Sequence, residues 1–306
     1  MSERPRDGHP GSPRANPSDV SDVADRAGVL LLVATPIGNL GDVSTRAAEA
    51  LRDADVIAAE DTRRTRALLS HLGLPSAGRL RSVHAHNEQE SADWVVDAVR
   101  DGRCVAYVTD AGTPGISDPG ERLVRACLDA GLAVDLVPGP SAVITALVLS
   151  GFPTDRFVFE GFLPRRGGER RERIASLVTE ARTVVLYESP RRVHATLTQL
   201  LGACGPLREV AVARELTKLH QEVWRGALEE AVGHVELGEP RGEHVIVLAP
   251  APPPPEASDD EIDAHVTAAL TEGLSTRDAA ARVARDLGVP RRRTYDAATR
   301  LKRPRP

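Results

Sequence analysis

Residues 109–120 read Thr-Asp-Ala-Gly-Thr-Pro-Gly-Ile-Ser-Asp-Pro-Gly, after an apolar run and before a helical pattern. The run at 103–108 has the length and β-branched content of a buried strand, and apolar residues recur at helical spacing beyond residue 120. A loop rich in glycine and proline between a strand end and a helix start is where open α/β sheets hold ligands. The segment therefore predicts a ligand-binding loop, with Asp110 and Thr113 as candidate site residues.

The end of this segment has the pattern of a helix start. Asp118 is followed by Pro119 and, three positions on, by Glu121. This is the order of an N-cap residue, a proline in the first turn and an acidic residue at the third position. We therefore predict that Asp118 caps the following helix and takes no part in catalysis.

Units of strand, loop and helix repeat through the first half of the chain. The predicted strands are 29–34, 55–59, 79–83, 103–108 and 133–137. Strands that alternate with helices pair in parallel, so residues 29–151 are predicted to form an N-terminal α/β domain. Gly151-Phe152-Pro153 marks its end.

Beyond this boundary the strands become shorter, which predicts a second α/β domain at 152–249 with strands of mixed direction. A proline-rich linker at 250–256 leads to a helical module at 257–306. In that module Ser275 and Asp278 have the spacing of a capping box. Its two predicted helices resemble a helix-turn-helix, and any other αα-hairpin fits the same pattern.

Composition limits the classes of protein to which the chain can belong. Residues 1–28 are polar, lack an apolar signal core and are predicted to form a disordered tail. No run approaches the ~20 apolar residues of a membrane helix. Cys104, Cys127 and Cys204 are single and widely spaced, so they predict neither a disulfide framework nor a metal site. These features predict a cytoplasmic enzyme without a metal.

The net charge of −5 argues against nucleic-acid binding through overall charge, but the basic residues are clustered. The clusters are Arg63, Arg64 and Arg66; Arg165, Arg166, Arg170, Arg171 and Arg173; and Arg291, Arg292, Arg293, Arg300, Lys302, Arg303 and Arg305. Such clusters can hold phosphates, and for any one of them a solvated helix face is an equally good explanation.

The loop after the first strand excludes one common ligand class. Glu60 ends the second strand about 20 residues beyond that loop, as the ribose-binding acid of a dinucleotide fold would. However, the loop has only Gly38 and Gly41 and lacks the G-x-G-x-x-G motif, and no Walker A motif occurs in the chain. We therefore reject a nicotinamide-dependent dehydrogenase.

Seven motifs are similar to those of one methyltransferase family. They are 33–42, 59–63, 82–84 with Asn87-Glu88, 110–120, 137–142, 187–192 and 213–218. Over residues 30–248 and the terminal module, the chain resembles the 16S ribosomal RNA (cytidine-2′-O)-methyltransferases of the tetrapyrrole methylase superfamily. The resemblance implies the two-domain α/β fold of class III methyltransferases, with S-adenosylmethionine in the cleft and a homodimer. It implies as substrate the ribose of a decoding-centre cytidine whose base is separately N4-methylated.

The resemblance also implies a cofactor site. The Gly-Asp-Pro-type loop of the superfamily falls on Gly112-Thr113-Pro114, where Thr113 replaces the aspartate of many relatives. The predicted cofactor-binding residues are Gly38, Asn39, Leu40, Asp110, Gly112, Thr113, Ile116, Ser141, Ala142, Tyr187 and His244. Loops of this kind let backbone groups approach a ligand closely, and a helix N-terminus favours its carboxylate.

Methyl transfer to a ribose hydroxyl is helped by a general base. Lys218 is one of only two lysines in the chain and follows a predicted strand. We therefore hypothesise that Lys218 is the base, with its pKa lowered by desolvation and its side chain oriented by Glu215 or Asp61. A phosphate-binding role for Lys218 has equal support. His84 and His86 are alternative bases.

Five arginines are predicted to contact RNA phosphates: Arg63, Arg64, Arg165, Arg166 and Arg292. Two other functions remain open. A methyltransferase acting on a tetrapyrrole or another small molecule would need neither the arginine clusters nor the helical module. A non-catalytic RNA-binding assembly factor would keep only a cofactor-like pocket.

Overall fold

The computed structural model describes residues 28–237, 241–253 and 257–302. The chain divides into two compact units, residues 1–251 and 252–306, and each is described by itself. The predicted disordered tail, up to residue 27, and residues 254–256 of the predicted linker lie outside the described residues. Within the described residues, no helix is both long and apolar enough to cross a bilayer.

The first half of the larger unit is a parallel sheet with helices between its strands. The strands are β1 (Val29–Val33), β2 (Val56–Ala59), β3 (Leu80–Ser82), β4 (Cys104–Val108) and β5 (Ala133–Val137). The helices are α1 (Thr45–Asp53), α2 (Thr62–His71), α3 (Glu88–Arg100), α4 (Glu121–Asp129) and α5 (Ala142–Ser150). The strand order is β3-β2-β4-β1-β5, and every pairing is parallel, as the alternation of strands and helices predicted.

A second sheet with mixed strand directions follows. It contains β6 (Phe157–Phe162), β7 (Thr183–Glu188), β8 (Glu209–Arg214), β9 (Glu222–Ala227) and β10 (His244–Leu248), with helices α6 (Gly168–Ser176), α7 (Val193–Cys204) and α8 (Leu228–Leu237). The order is β6-β7-β10-β8-β9, in which only β6 and β7 pair in parallel. This agrees with the prediction of mixed directions.

Helix α5 joins the two sheets through a shared apolar core. Val143 and Leu147 of α5 are buried in one cluster with Val185 of β7 and Val247 of β10. Ile37, from the loop after β1, belongs to the same cluster. The two sheets of this unit are thus fixed to each other by buried side chains, at the end of the first sheet where its loops emerge.

The start of α4 differs from the prediction made for Asp118. The helix begins at Glu121 with Gly120 as N-cap, at φ 133°, so Asp118 lies before the helix and does not cap it. The backbone N–H groups of Gly120 and Arg122 donate instead to Oε1 of the buried Glu88, at 2.8 and 2.9 Å. The prediction was wrong because the acceptor comes from α3, far away in sequence, which a local pattern cannot show.

The smaller unit is helical and contains α9 (Asp259–Thr271), α10 (Thr276–Asp286) and α11 (Arg291–Lys302). The Asp278 N–H donates to Ser275 Oγ at 3.1 Å, which confirms the capping box. Its core is formed by small and branched residues such as Val266, Ala280 and Ala298. Only α10 and α11 were predicted from the sequence; α9 was not, and the module contains three helices within the described residues.

Candidate active site

A cavity of about 420 Å³ lies where the loops at the carboxyl ends of the first sheet meet the second sheet. This volume is typical of small-molecule sites. The lining residues are Ile37, Glu60, Arg64, Asp110, Ala111, Gly112, Thr113, Ile116, Ser117, Asp118, Ser141, Ala142, Phe162, Tyr187, Glu188, Ser189, Pro190, Leu216, Glu243, His244 and Val245. The location agrees with the rule that open α/β sheets bind ligands beyond their strand ends.

Most of the predicted cofactor-binding residues line this cavity. They are Asp110, Gly112, Thr113, Ile116, Ser141, Ala142, Tyr187 and His244. Mutual hydrogen bonds between the backbones of Thr35 and Gly112, at 2.9 and 3.1 Å, connect the loop after β1 to the loop after β4. These two bonds fix the loop at 109–120 just beyond the end of β1, the strand beside β4 in the sheet.

Gly38, Asn39 and Leu40 do not line the cavity, and the structure gives them another place. The Asn39 N–H donates to Thr217 Oγ1 at 3.0 Å, which joins the loop after β1 to the loop after β8. A Cβ on Gly38 would come within 2.8 Å of Thr217 Oγ1 and 3.0 Å of the Leu216 carbonyl oxygen. Only glycine allows these two loops to approach so closely, and their neighbours Ile37 and Leu216 do line the cavity.

Backbone strain is concentrated in the loops around the cavity. Among the described residues, the non-glycine residues with positive φ are Ser117, Glu215 and Thr217, at 61°, 52° and 65°. Such conformations cost energy and persist where the surrounding structure imposes them, which is common at functional sites. Two of the three flank Leu216, and the third lines the cavity directly.

Five acidic residues line the cavity and form its acidic wall: Glu60, Asp110, Asp118, Glu188 and Glu243. Burial raises the pKa of Glu60, whose Oε2 accepts the Asp110 N–H at 3.1 Å. Burial, helped by the charges of Glu60, Asp110 and Glu243, raises the pKa of Asp118 to about 7. Arg64 Nε lies 3.4 Å from Asp110 Oδ2, while the buried Asp110 Oδ1 has no hydrogen-bond partner within the described chain.

Lys218 lies beside this wall in an ion-pair network. Its Nζ donates to Glu215 Oε1 at 2.8 Å and to Glu243 Oε2 at 3.1 Å. Burial, which lowers its pKa, is outweighed by these two carboxylates, so the pKa of Lys218 is raised above its ordinary value. The predicted orientation by Glu215 is present, but the predicted lowering of the Lys218 pKa is wrong because Glu243 supplies a second negative charge.

Asp61 does not orient Lys218. It is the N-cap of α2, where it accepts the Arg63 N–H at 2.8 Å. Its Oδ2 forms an ion pair with the Arg63 guanidinium at 2.9 Å, and hydrogen bonds from Arg63 lower the pKa of Asp61 to about 2. Asp61 is therefore already neutralised by a local partner, and the catalytic role predicted for it has no support in this geometry.

The far wall of the cavity comes from the second sheet. Burial raises the pKa of the Tyr187 hydroxyl to about 12, and the Tyr187 ring packs edge-on against Phe159 with centroids 5.0 Å apart. Burial lowers the pKa of His244, whose Nδ1 donates to the Gly242 carbonyl at 3.0 Å. Ser141 precedes α5 as its N-cap residue and makes no side-chain capping bond.

Comparison with known proteins agrees with this architecture. Residues 29–232 match the family model described as Tetrapyrrole (Corrin/Porphyrin) Methylases, and residues 256–302 match the RsmI C-terminal HTH domain. The chain is 44% identical over 276 residues to the ribosomal RNA small subunit methyltransferase I of Synechocystis sp., covering 90% of this chain and 98% of the relative. It is 46% identical over 278 residues to that of Mycobacterium bovis, covering 90% and 96%.

The chain belongs to the ribosomal RNA small subunit methyltransferase I family. The family and the fold class predicted from the motifs are therefore confirmed. A solved cobalt precorrin-4 methyltransferase has the same fold at 16% identity, with a TM-score of 0.55 over 72% of this chain and 94% of its own. A uroporphyrin-III C-methyltransferase from Thermus thermophilus aligns with a TM-score of 0.53 at 21% identity, over the same shares of the two chains.

Members of this family use S-adenosylmethionine, and the residues of the cavity fit it. The cofactor carries a positive sulfonium and an ammonium group, and five acidic residues line the cavity. The unpartnered Asp110 Oδ1 offers a buried acceptor. Ile116 and Tyr187 line the cavity and would offer apolar surface to an adenine ring. When bound, the cofactor supplies a methyl group activated by positively charged sulfur.

The sequence analysis missed several lining residues of the site. Asp118 was interpreted as a helix cap, Glu60 was considered only as a ribose ligand of a dinucleotide fold, and Glu243 was not singled out. Glu60 directly follows the predicted strand 55–59, so its position at the carboxyl end of a strand was a usable signal. The signal for Asp118 was its place in the central loop, which the capping pattern concealed.

Proposed function

We propose that the protein transfers a methyl group from S-adenosylmethionine to the ribose 2′-hydroxyl of a decoding-centre cytidine in 16S ribosomal RNA. The observation that carries the proposal is the identity of 44–46% to relatives named ribosomal RNA small subunit methyltransferase I, over 90% of this chain. The acidic cavity supports the donor half of the reaction. The ribosomal substrate implies action in the cytoplasm.

The chemistry is an in-line displacement in which alignment supplies much of the rate enhancement. The loops after β1, β4 and β8 are tied together by Thr35, Gly112, Asn39 and Thr217, so the cavity is preorganised on the side of the first sheet. The carboxylates would stabilise positive charge on the donor, and Phe162, whose side chain is half exposed, adds apolar surface to the lining. The attacking hydroxyl then needs a partner to accept its proton.

The RNA half of the proposal is supported by a basic surface on the second sheet. A second cavity, of about 590 Å³, is lined by Arg165, Arg166, Arg170 and Arg171 together with residues of α6 and α7. Arg170 is buried and bonded to Gln199, whereas Arg165 and Arg166 are exposed and form no ion pair within the described chain. Two uncompensated guanidinium groups at a concave surface suit RNA phosphates.

The other arginines predicted to bind RNA have acidic partners. Arg63 is engaged by Asp61, Arg64 by Asp110, and the highly exposed Arg292 lies 4.0 Å from Asp296 on α11. To bind a phosphate, each of these arginines must release its carboxylate partner or bind both groups at once. We therefore assign the principal phosphate contacts of the larger unit to Arg165 and Arg166.

The double substitution Arg165→Ala/Arg166→Ala is expected to weaken RNA binding about tenfold. The slope of log association constant against log salt concentration should become shallower by about 1.4, because each contact to a single-strand phosphate contributes about 0.7. The measurement is filter binding of small-subunit RNA at several salt concentrations. Arg100→Ala/Arg125→Ala removes two arginines that already pair with Asp97 and Asp129, and serves as the control. Equal slopes for the two variants would contradict the assignment.

We also propose a homodimer, supported by an apolar surface on the larger unit. Ile144 and Val148 of α5 are 48% and 63% exposed, although the opposite side of this helix is buried in the shared core. Leu136 of the edge strand β5 is exposed as well. An α5 helix that is apolar on its outer side is suited to contact a second copy.

The proposed function is tested by incubating the protein with radiolabelled S-adenosylmethionine and small ribosomal subunits from a strain that lacks the endogenous enzyme. The expected product is one methyl group per subunit, mapped to the sugar of a decoding-centre cytidine by nuclease digestion and mass spectrometry. Label on a base, or transfer only to a tetrapyrrole offered in parallel, would exclude the proposal. Donor binding without any transfer would instead favour a non-catalytic assembly factor.

A further inference from the structure

The loop that carries Asp118 is held from three directions. Within the loop, the Gly115 N–H donates to the Pro119 carbonyl at 3.1 Å. At its end, buried Glu88 accepts the Gly120 N–H, and a Cβ on Gly120 would come within 2.9 Å of the Tyr107 ring. On the side of the second sheet, Ser117 Oγ would lie 3.2 Å from a Cβ built on Gly161. Ser117 is held at φ 61° by this packing, and Asp118 directly follows it on the cavity wall.

Asp118 differs from the other acidic residues that line the cavity because no hydrogen bond or ion pair engages its carboxylate within the described chain. That carboxylate is more than half buried. By contrast, Glu188 is paired with Arg192 at 3.2 Å and Glu215 with Lys218 at 2.8 Å. Placing an unpaired carboxylate in a cavity is costly, so its retention there points to a chemical use.

We propose that Asp118 is the general base of methyl transfer, an assignment that rests on the proposed function. In the step, the ribose 2′-oxygen forms a bond to the methyl carbon, the carbon–sulfur bond breaks, and its electron pair remains on sulfur as a neutral thioether. The hydroxyl proton passes to the Asp118 carboxylate and afterwards to water. Charge is conserved, since one positive sulfonium and one carboxylate become a neutral thioether and a neutral carboxylic acid.

The other candidate bases are less suited to this step. Lys218 is held as an ammonium by Glu215 and Glu243, so it has no free electron pair to accept a proton. His244 lines the cavity, but its Nδ1 is engaged by the Gly242 carbonyl at 3.0 Å, and burial lowers its pKa. The pKa of Asp118, about 7, is well matched to proton acceptance at neutral pH.

The test compares Asp118→Asn with the wild-type protein and with Glu121→Gln, which removes an exposed carboxylate three residues away that does not line the cavity. Asp118→Asn is expected to lower kcat by about 100-fold or more, the usual contribution of a general base. Binding of S-adenosylmethionine alone, measured by calorimetry, should weaken by less than about tenfold. The rise of the wild-type rate between pH 5.5 and about 7 should be absent from Asp118→Asn and retained in Glu121→Gln.

A second readout needs no substrate. Because the folded-state pKa of Asp118 is raised above its unfolded value, its stabilising effect is present in acid and is lost as pH rises towards 7. The Tm of Asp118→Asn relative to wild type should therefore increase from pH 5 to pH 8. A purely structural aspartate, hydrogen-bonded in the folded state, would show the opposite trend.

Three outcomes would overturn the assignment. One is an Asp118→Asn variant that keeps kcat within about threefold of wild type. Another is a large loss of donor affinity with unchanged kcat, which would make Asp118 a donor ligand. The third is a pH profile that persists in Asp118→Asn and disappears in His244→Gln. Failure of the proposed function is distinguishable from all three, since in that case the wild-type protein itself transfers no methyl group to ribosomal RNA.

Discussion

Gly38→Val is expected to reduce methyl transfer at least about 100-fold and to weaken S-adenosylmethionine binding, although residue 38 does not line the cavity. A side chain there would collide with the Leu216 carbonyl and with Thr217 and Lys218, so the loops after β1 and β8 would have to separate. Ile37 and Leu216 line the cavity and would move with those loops. A displacement of about 1 Å in a preorganised site is enough for an effect of this size.

The measurements are donor affinity by calorimetry, the rate of transfer and the Tm. Gly233→Val is the matched control, because Gly233 is an exposed residue of α8 and a Cβ added there would meet no neighbouring side chain within 4 Å. We expect the control to keep the wild-type donor affinity and rate. A Gly38→Val protein with wild-type donor affinity would show that the contact between the two loops does not shape the cavity.

Lys218→Met is expected to lower kcat/KM about 100-fold, while Lys218→Arg stays within about tenfold of wild type. Methionine would leave Glu215 and Glu243 without a cation at the rim of a site that must receive a polyanion, at a cost on the order of 2–3 kcal/mol. Arginine restores the positive charge but cannot act as a base at neutral pH. Steady-state kinetics with small-subunit RNA measures the difference.

The pair of substitutions also separates the two roles first considered for Lys218. If arginine were as damaging as methionine, a positive charge at this position would not be sufficient, and the phosphate-binding role of residue 218 would lose its support. Arg125→Met is a suitable control, since Arg125 forms an exposed ion pair with Asp129 on α4 and does not line the cavity. We expect it to have wild-type kinetics.

The alternation of strands and helices was sufficient to predict the parallel sheet, because that pattern has few alternatives. The glycine- and proline-rich loop after the fourth strand was sufficient to predict Asp110 and Thr113 at the cavity, since the carboxyl ends of parallel strands lie at one edge of the sheet. Gly112, Ser141 and Tyr187 were predicted from the resemblance to the methyltransferase family, and they line the same cavity. Helix α9 was missed although its sequence carries a helix signal: Ile262, Val266 and Ala269 recur at helical spacing, and Ser258 caps its start by accepting the Glu261 N–H.

The errors concern residues whose partners are distant in the chain. The helix start after Asp118 depends on Glu88, and the pKa of Lys218 depends on Glu243, 25 positions away. A local sequence pattern shows which hydrogen-bond or ionic partner lies nearby in the chain. It does not show which partner the folded structure brings from a distant segment. For Asp61 the reverse holds, since the adjacent Arg63 takes up the carboxylate that was predicted to act at a distance.

The buried contact between α5 and the second sheet determines how substrates can reach the cavity. Val143 and Leu147 are buried in one apolar cluster with Val185 and Val247, and separating them would expose these side chains to water. Hinged opening of one sheet away from the other is therefore expensive. We therefore expect substrates to enter and leave through rearrangements of the strand-end loops, such as segment 113–120.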